Sequence, residues 1–240
     1  GCAFLFICAA VIWNLFPAIA VAADSAVVLM YHRFGESEHS QTNIRLDQFD
    51  AHLAELSKDK YNVLPLPEIL KAIKSGEPLP AFTVAITIDD AFKSVFAEAA
   101  PRLKSRGFPF TLFVSTRAVE RGSPGYMTWD QIKEINNENF AVIGHHSHSH
   151  EYLLEFSHIE FEKDIKNSIK IFKEKLGYNP IFFSYPFGEY NLKQTKFIKN
   201  NFKYGFGQHS GVIDLTKNRF ELPRFPINEK YGDLKRFNSL

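Results

Sequence analysis

At 240 residues the chain is long enough for one sizeable hydrophobic core and too short for two full α/β domains. Its 28 Lys and Arg against 27 Asp and Glu give a net charge of +1, which excludes nucleic-acid binding driven by phosphate contacts, since that needs a basic face. Both cysteines, Cys2 and Cys8, fall in an apolar N-terminal segment, so the rest of the chain excludes disulfides and cysteine-ligated zinc.

Residues 1–23 carry no charge and end in Ala20-Val21-Ala22-Ala23, the small-residue pattern expected at a signal-peptidase site. We read them as a signal peptide or an N-terminal membrane anchor, because about 20 apolar residues can span a bilayer. Either reading makes the protein exported, periplasmic or extracellular, with membrane association only through this segment. A single domain over 24–240 follows, without repeats, low-complexity stretches or long linkers.

Along that domain, β-branched and aromatic runs at 27–31, 84–88, 110–114, 140–143 and 181–185 have the length of buried strands. Amphipathic helical patterns cover 46–57, 92–106, 129–137, 159–176 and 192–200. Strands alternating with helices predict a mostly parallel sheet, either a barrel or a doubly wound sheet.

Polar clusters follow directly on these strands: His32, then Asp89-Asp90, then His145 to His150, then Pro186-Phe187-Gly188. In parallel α/β folds that rim is where sites are assembled. Adjacent carboxylates after a buried strand are costly unless paired or ligated, although they can also cap a following helix. His146 and His150 with Asp89 or Asp90 make a three-ligand set that leaves one position of a divalent ion open to water. Read alone, the His tract is equally a solvated polar loop.

The order and spacing of these residues resemble the polysaccharide deacetylase family of metal-dependent carbohydrate de-N-acetylases and esterases. The match rests on Thr87-Ile88-Asp89-Asp90, on His146-Ser147-His148-Ser149-His150, and on Tyr185-Pro186-Phe187-Gly188. The resemblance implies a distorted (β/α) barrel and an N-acetylglucosamine-containing envelope or extracellular polysaccharide as substrate. It implies Asp89 as general base, a divalent metal, expected to be zinc, on Asp90, His146 and His150, and Ser147 bracing the loop. Tyr185, Pro186, Phe187 and Gly188 would wall the acetyl pocket, with the Phe187 N–H at the oxyanion.

The chain departs from the family pattern in two places. Many members carry an Arg two residues before that Pro, where this chain has Ser184; Arg224 is the candidate replacement. The closing motif that supplies a general acid is absent, and His209 is the candidate in its stead, with His32 as a further pocket histidine. Tyr126, Trp129, Tyr185 and Tyr190 are candidates for sugar stacking or for core packing. The rival readings are a catalytically weak glycan-binding module and an esterase or amidase for another acyl group.

Overall fold

In the computed structural model, which describes residues 22–138 and 140–240, the apolar runs become strands of one curled sheet. In chain order these are β1 (Ser25–Tyr31), β2 (Thr83–Asp89), β3 (Phe110–Val114), β4 (Ala141–His145), β5 (Phe182–Ser184) and β6 (Tyr204–Phe206). Two short strands follow, β7 (Ile213–Asp214) and β8 (Phe225–Pro226). Strands β1 to β6 lie side by side in sequence order and every neighbouring pair is parallel, as the alternation of strand and helix predicts. β2 is buried at all seven positions, which is why it reads as a continuous apolar run rather than an alternating one.

The curled sheet is drawn towards a barrel by one segment near the end of the chain. Leu222 bridges to Phe206 of β6, and three residues later β8 pairs in parallel with Leu29 and Met30 of β1. Residues 222–226 thus touch both outer strands of the six-stranded run. β7 pairs antiparallel with the start of β1.

The helices are α1 (Leu46–Leu56), α2 (Leu66–Ser75), α3 (Ala100–Ser105), α4 (Thr116–Glu120), α5 (Trp129–Asn137), α6 (His158–Leu176), α7 (Leu192–Asn201) and α8 (Leu234–Phe237). Ser157 caps α6 through the Glu160 N–H in a capping box, and Gly177 ends it in the left-handed conformation. Asp90 and Ala91 have positive φ and lie in the turn between β2 and the helical run that follows. The helix expected over 92–106 forms over 93–105, with a π-helical turn, Val95–Ala99, running directly into α3. Pro101, in the first turn of α3, has no N–H to extend the ladder back across that junction.

Apolar side chains fill the fold on both sides of the sheet. Val28, Ala85, Phe113 and Phe206 pack with Leu66, Ile69 and Leu70 of α2, while Leu29, Ile86, Ile88 and Leu112 pack with the helices of the other face. Of the expected leader, only Ala22–Ala23 lie among the described residues, where they pair antiparallel with Leu79–Pro80. Among the described residues no helix is long and apolar enough to cross a membrane.

The last helix is tied to the sheet through one histidine. His52, fully buried on α1, stacks on Phe237 at 4.0 Å, accepts at Nδ1 from the Tyr31 hydroxyl (3.0 Å), and donates from Nε2 to the Gly232 carbonyl (2.8 Å). Burial pushes its pKa down from 6.5 to about 4. Between those values the unfolded chain takes up a proton that the folded chain refuses. This contribution to stability is therefore full above pH 6.5 and is lost as pH falls towards about 4, by at most about 3 kcal/mol. Urea midpoints at pH 7.5 and 4.5 are expected to fall less in His52→Gln than in the parent; equal slopes would dismiss this assignment.

Candidate metal centre

The carboxyl ends of β2 and β4 carry the acidic pair and the histidine loop. Asp89 is the last residue of β2, and Asp90 follows with φ 77°, its N–H held by the Phe113 carbonyl at 3.0 Å. His145 ends β4, and the His146 N–H donates to Val114. Asp90, Ala91, Ser147, His150 and Phe187 all sit in the left-handed region without being glycine. Each such residue costs on the order of 1 kcal/mol or more, and persists only where the surroundings over-determine it.

Those surroundings are visible in the histidine loop. The Ser147 hydroxyl accepts the His150 N–H (3.0 Å), and the buried Asp164 carboxylate of α6 accepts the His148 and Ser149 N–H groups (2.9 and 3.0 Å). Ser168, one turn further along α6, donates to the Ser147 carbonyl (3.2 Å), and Thr116 bonds Nδ1 of His148 (2.8 Å). Sequence reasoning missed Asp164. Its signal was a lone acid on the apolar face of α6, beside Phe161 and Ile165.

This loop turns two imidazoles onto Asp90. His150 Nε2 lies 3.0 Å and His146 Nε2 3.4 Å from Asp90 Oδ1, and the three ligand atoms lie within 4.8 Å of one another. His146 Nδ1 sits 2.7 Å from the Ser184 carbonyl, to which it can only donate, so its Nε2 is left with the lone pair facing Asp90. Asp90 Oδ1 and His146 Nε2 are both buried without a hydrogen-bond partner. Orphaned acceptors converging in this way suit a cation, so the donor set fits a divalent ion with a free coordination position.

The charges agree with that reading. Burial acts to raise the Asp90 pKa, but the His150 charge and the His146 contact hold it well below the usual carboxylate range. For His150, burial acts to lower the pKa, and the charge of Asp90 outweighs it and leaves it raised.

Beside this cluster, Asp89 is completely buried and gripped by Arg224, which is equally buried. Nη1 donates to Oδ1 at 2.7 Å and Nη2 to Oδ2 at 2.8 Å. The remaining donors reach Thr87 Oγ1 (3.2 Å), Ser184 Oγ (2.8 Å) and the Gly207 carbonyl (3.0 Å), so all five guanidinium N–H groups are used. Ser184 in turn donates to Asp89 Oδ2 (3.2 Å). Burial acts to raise the Asp89 pKa, but the charges of Arg224 and His146 outweigh it and keep the carboxyl below its ordinary value. Asp89 Oδ2 stands 3.8 Å from His146 Nε2.

The other expected residues divide. Phe187, at φ 58°, is exposed beside His150, with ring centroids 4.9 Å apart. Gly188 is needed where it stands: φ is 70° and a Cβ would lie 2.7 Å from Gln208. Tyr185 and Pro186 are buried, and the Tyr185 ring packs on Phe183 and Tyr190, so their part is to shape the strand end. Trp129 is core, its indole N–H donating to Glu120, whereas Tyr126 is half-buried near Asp90. His209 lies on an exposed loop, where its carbonyl receives the Arg224 N–H, and its ring makes no hydrogen bond to the cluster. His32, after β1, is the histidine that feels the charges of Asp90, Asp89, Arg224 and His146, although burial dominates and lowers its pKa. His145 is buried among Phe172, Phe183 and Phe202 and does not face the site. An aromatic pair not anticipated from sequence flanks His150: Tyr152, half-exposed, stacks on Phe187 at 4.0 Å.

The family model described as polysaccharide deacetylase matches residues 76–205. The chain belongs to the polysaccharide deacetylase family. It is 24% identical over 234 residues to the poly-β-1,6-N-acetyl-D-glucosamine N-deacetylase of Staphylococcus aureus, covering 86% of this chain and 80% of that protein. Among solved structures, the Streptococcus pyogenes deacetylase PplD in complex with acetate superposes with a TM-score of 0.81 at 24% identity, covering 90% of this chain and 97% of that one. IcaB from Ammonifex degensii gives 0.78 at 24% identity, with the same coverage. The structural likenesses show a shared fold.

Two outcomes follow from the geometry. Arg224→Met strands a buried carboxylate and is expected to cost about 3–5 kcal/mol in thermal or urea unfolding, most of it recovered when Asp89→Leu is added. A loss under 1 kcal/mol would show that the pair is solvated. Because Asp90 keeps the metal-free His150 protonated to higher pH than free imidazole, an ion must displace that proton. Zinc affinity measured by competition is expected to weaken about tenfold or more from pH 8 to pH 6, and a flat profile would remove His150 from the ligand set.

Proposed function

We propose that this protein is a metal-dependent hydrolase removing N-acetyl groups from an N-acetylglucosamine-containing envelope or extracellular polysaccharide. The observation that carries the proposal is the Asp90–His146–His150 cluster standing beside a carboxylate held in place by Arg224. Family membership, and a relative named for poly-N-acetylglucosamine, support the substrate class. The same relative supports an exported protein, with the leader over 1–23 as its means.

Asp90, His146 and His150 would hold the ion, and a donor set of one carboxylate and two imidazoles suits zinc. When bound there, a divalent ion would supply Lewis-acid polarisation of an acyl carbonyl and a lowered water pKa, which an amide, a poor electrophile, requires near neutral pH. Asp89 stays ionised because Arg224 holds it, and the bidentate pair fixes its orientation, so it accepts the proton of the attacking water. The Phe187 N–H, on the turn beside His150, is assigned to the developing oxyanion on the family resemblance. The proton that Asp89 takes from the water is the one returned to the leaving amine, with His32 assigned as its relay in place of His209: burial lowers the His32 pKa, so the ring is neutral and able to accept that proton before passing it on.

Arg224 also bears on the rival reading of a weak glycan-binding module, which leaned on the missing Arg at position 184. The base is oriented by a cation after all, delivered from elsewhere in the chain.

The test is acetate release from N-acetylglucosamine oligomers, β-1,4 and β-1,6 linked, by the zinc-loaded chain. Asp89→Asn is expected to lose at least about a hundredfold in kcat while retaining zinc, His146→Ala to lose both zinc and turnover, and His32→Ala to lose at least about a hundredfold with zinc retained. Zinc bound one to one, with no acetate from any oligomer or from peptidoglycan, would defeat the proposal.

A further inference from the structure

Next to the metal cluster lies a cleft of about 320 Å³ that the site as described does not use. Its lining includes Ser115, Arg117, Arg121, Tyr126, Ser149 and His150. His150 belongs to both, turning its Nε2 to Asp90 while lining the cleft, so the cleft opens directly beside the reacting position. The volume is within the range of small-molecule sites and accommodates one sugar ring.

The charge of this cleft is one-sided. Two guanidiniums reach it, from α4 and from the residue that ends α4. Arg117 is offset by Glu151, with Nη2 2.6 Å from Oε1. Arg121 is exposed and has no ion-pair partner among the described residues. The neighbouring acids are committed elsewhere: Glu36 to Arg33 and Ser94, Glu120 to Lys175 and the Trp129 indole, Asp164 to the loop N–H groups. One uncompensated positive charge therefore remains, on a polar wall of the cleft that His150 also lines. A cationic, fully de-N-acetylated neighbour would be repelled there, and a neutral one would leave the guanidinium unmatched.

We propose that this cleft is a subsite for an anionic sugar residue, one bearing a carboxylate or a phosphate, adjacent to the N-acetylated residue at the metal cluster. The preferred substrate is then an acidic N-acetylglucosamine-containing glycan rather than a neutral homopolymer. The inference rests on the deacetylase reading above for the identity of the neighbouring sugar. Arg121 is the residue that sets the preference, with a planar fork suited to either oxyacid.

The probes are β-1,4-linked N-acetylglucosamine tetramers, whose C6 hydroxyls are free, in three forms: unmodified, oxidised to the carboxylate at alternate C6 positions, and phosphorylated at the same positions. With the zinc-loaded chain, calorimetric titration gives affinity and acetate release gives kcat/KM. At about 20 mM salt an anionic tetramer is expected to exceed the neutral one by roughly threefold to tenfold, the advantage fading at about 0.5 M salt. Whichever anionic form gains more identifies the oxyacid. In Arg121→Gln the anionic-to-neutral ratio is expected to fall to about one, in Arg121→Glu to invert, and in Arg121→Lys to return in part. Equal values for all three tetramers, or a preference that survives Arg121→Gln, would overturn the subsite. Tighter anionic binding through Arg121 without any acetate release would keep the subsite and defeat the deacetylase reading; acetate release without anionic preference would do the reverse.

Discussion

The site depends on one buried ion pair. A carboxylate placed at the end of β2 with no exposure is stable as an anion only if something charged meets it there, and the fold brings Arg224 to it with every donor satisfied. The arrangement reaches further than the two residues. Ser184 links the pair to β5, whose carbonyl fixes the tautomer of His146, while Thr87 links it to β1 through a 2.7 Å bond to the Leu29 carbonyl. Strands β1, β2 and β5 are thereby tied around one charge pair, and the ring of His146 takes its orientation from that arrangement.

A second constraint is backbone strain gathered at the rim. Five non-glycine residues in the left-handed region lie on the three turns that form the site. Those of the histidine loop are held partly from behind, by Asp164 and Ser168 of α6 and Thr116 of α4, and partly by each other, through the Ser147 hydroxyl that accepts the His150 N–H. A rigid helix thus sets the pose of a loop that would otherwise relax, which is how ligand atoms come to face one another before any ion is considered.

Much of this was legible in the chain. The five strands and the helices over 129–137 and 159–176 follow from apolar periodicity, and their alternation gives the parallel order. Asp89, Asp90, His146 and His150 were found because motifs spaced along the chain are local patterns. What was not legible depends on long-range closure. Arg224 is a candidate from the sequence, but its bidentate grip on Asp89 across 135 positions and its complete burial come only from that closure. The helix expected over 92–106 is present over 93–105, and what its amphipathic pattern does not reveal is the π-helical turn at Val95–Ala99, next to Pro101. For Tyr185 the sequence leaves pocket wall, sugar stacking and core packing open, and packing decides it, its ring lying against Phe183 and Tyr190 in the core behind the motif. His32 and His209 look alike as strand-end or loop histidines, and only packing separates the one among the carboxylates from the one in solvent.

The closing segment at 222–226 carries a consequence for how the molecule comes into being. A chain that emerges from its amino end presents the carboxylates and histidines long before the strand that joins the two outer edges of the sheet and delivers the guanidinium. Until then Asp89 has no buried partner, and the cost of desolvating it opposes the collapse of that end of the sheet. Assembly of the reacting centre is therefore coupled to completion of the fold, and a partly emerged chain has no finished active site.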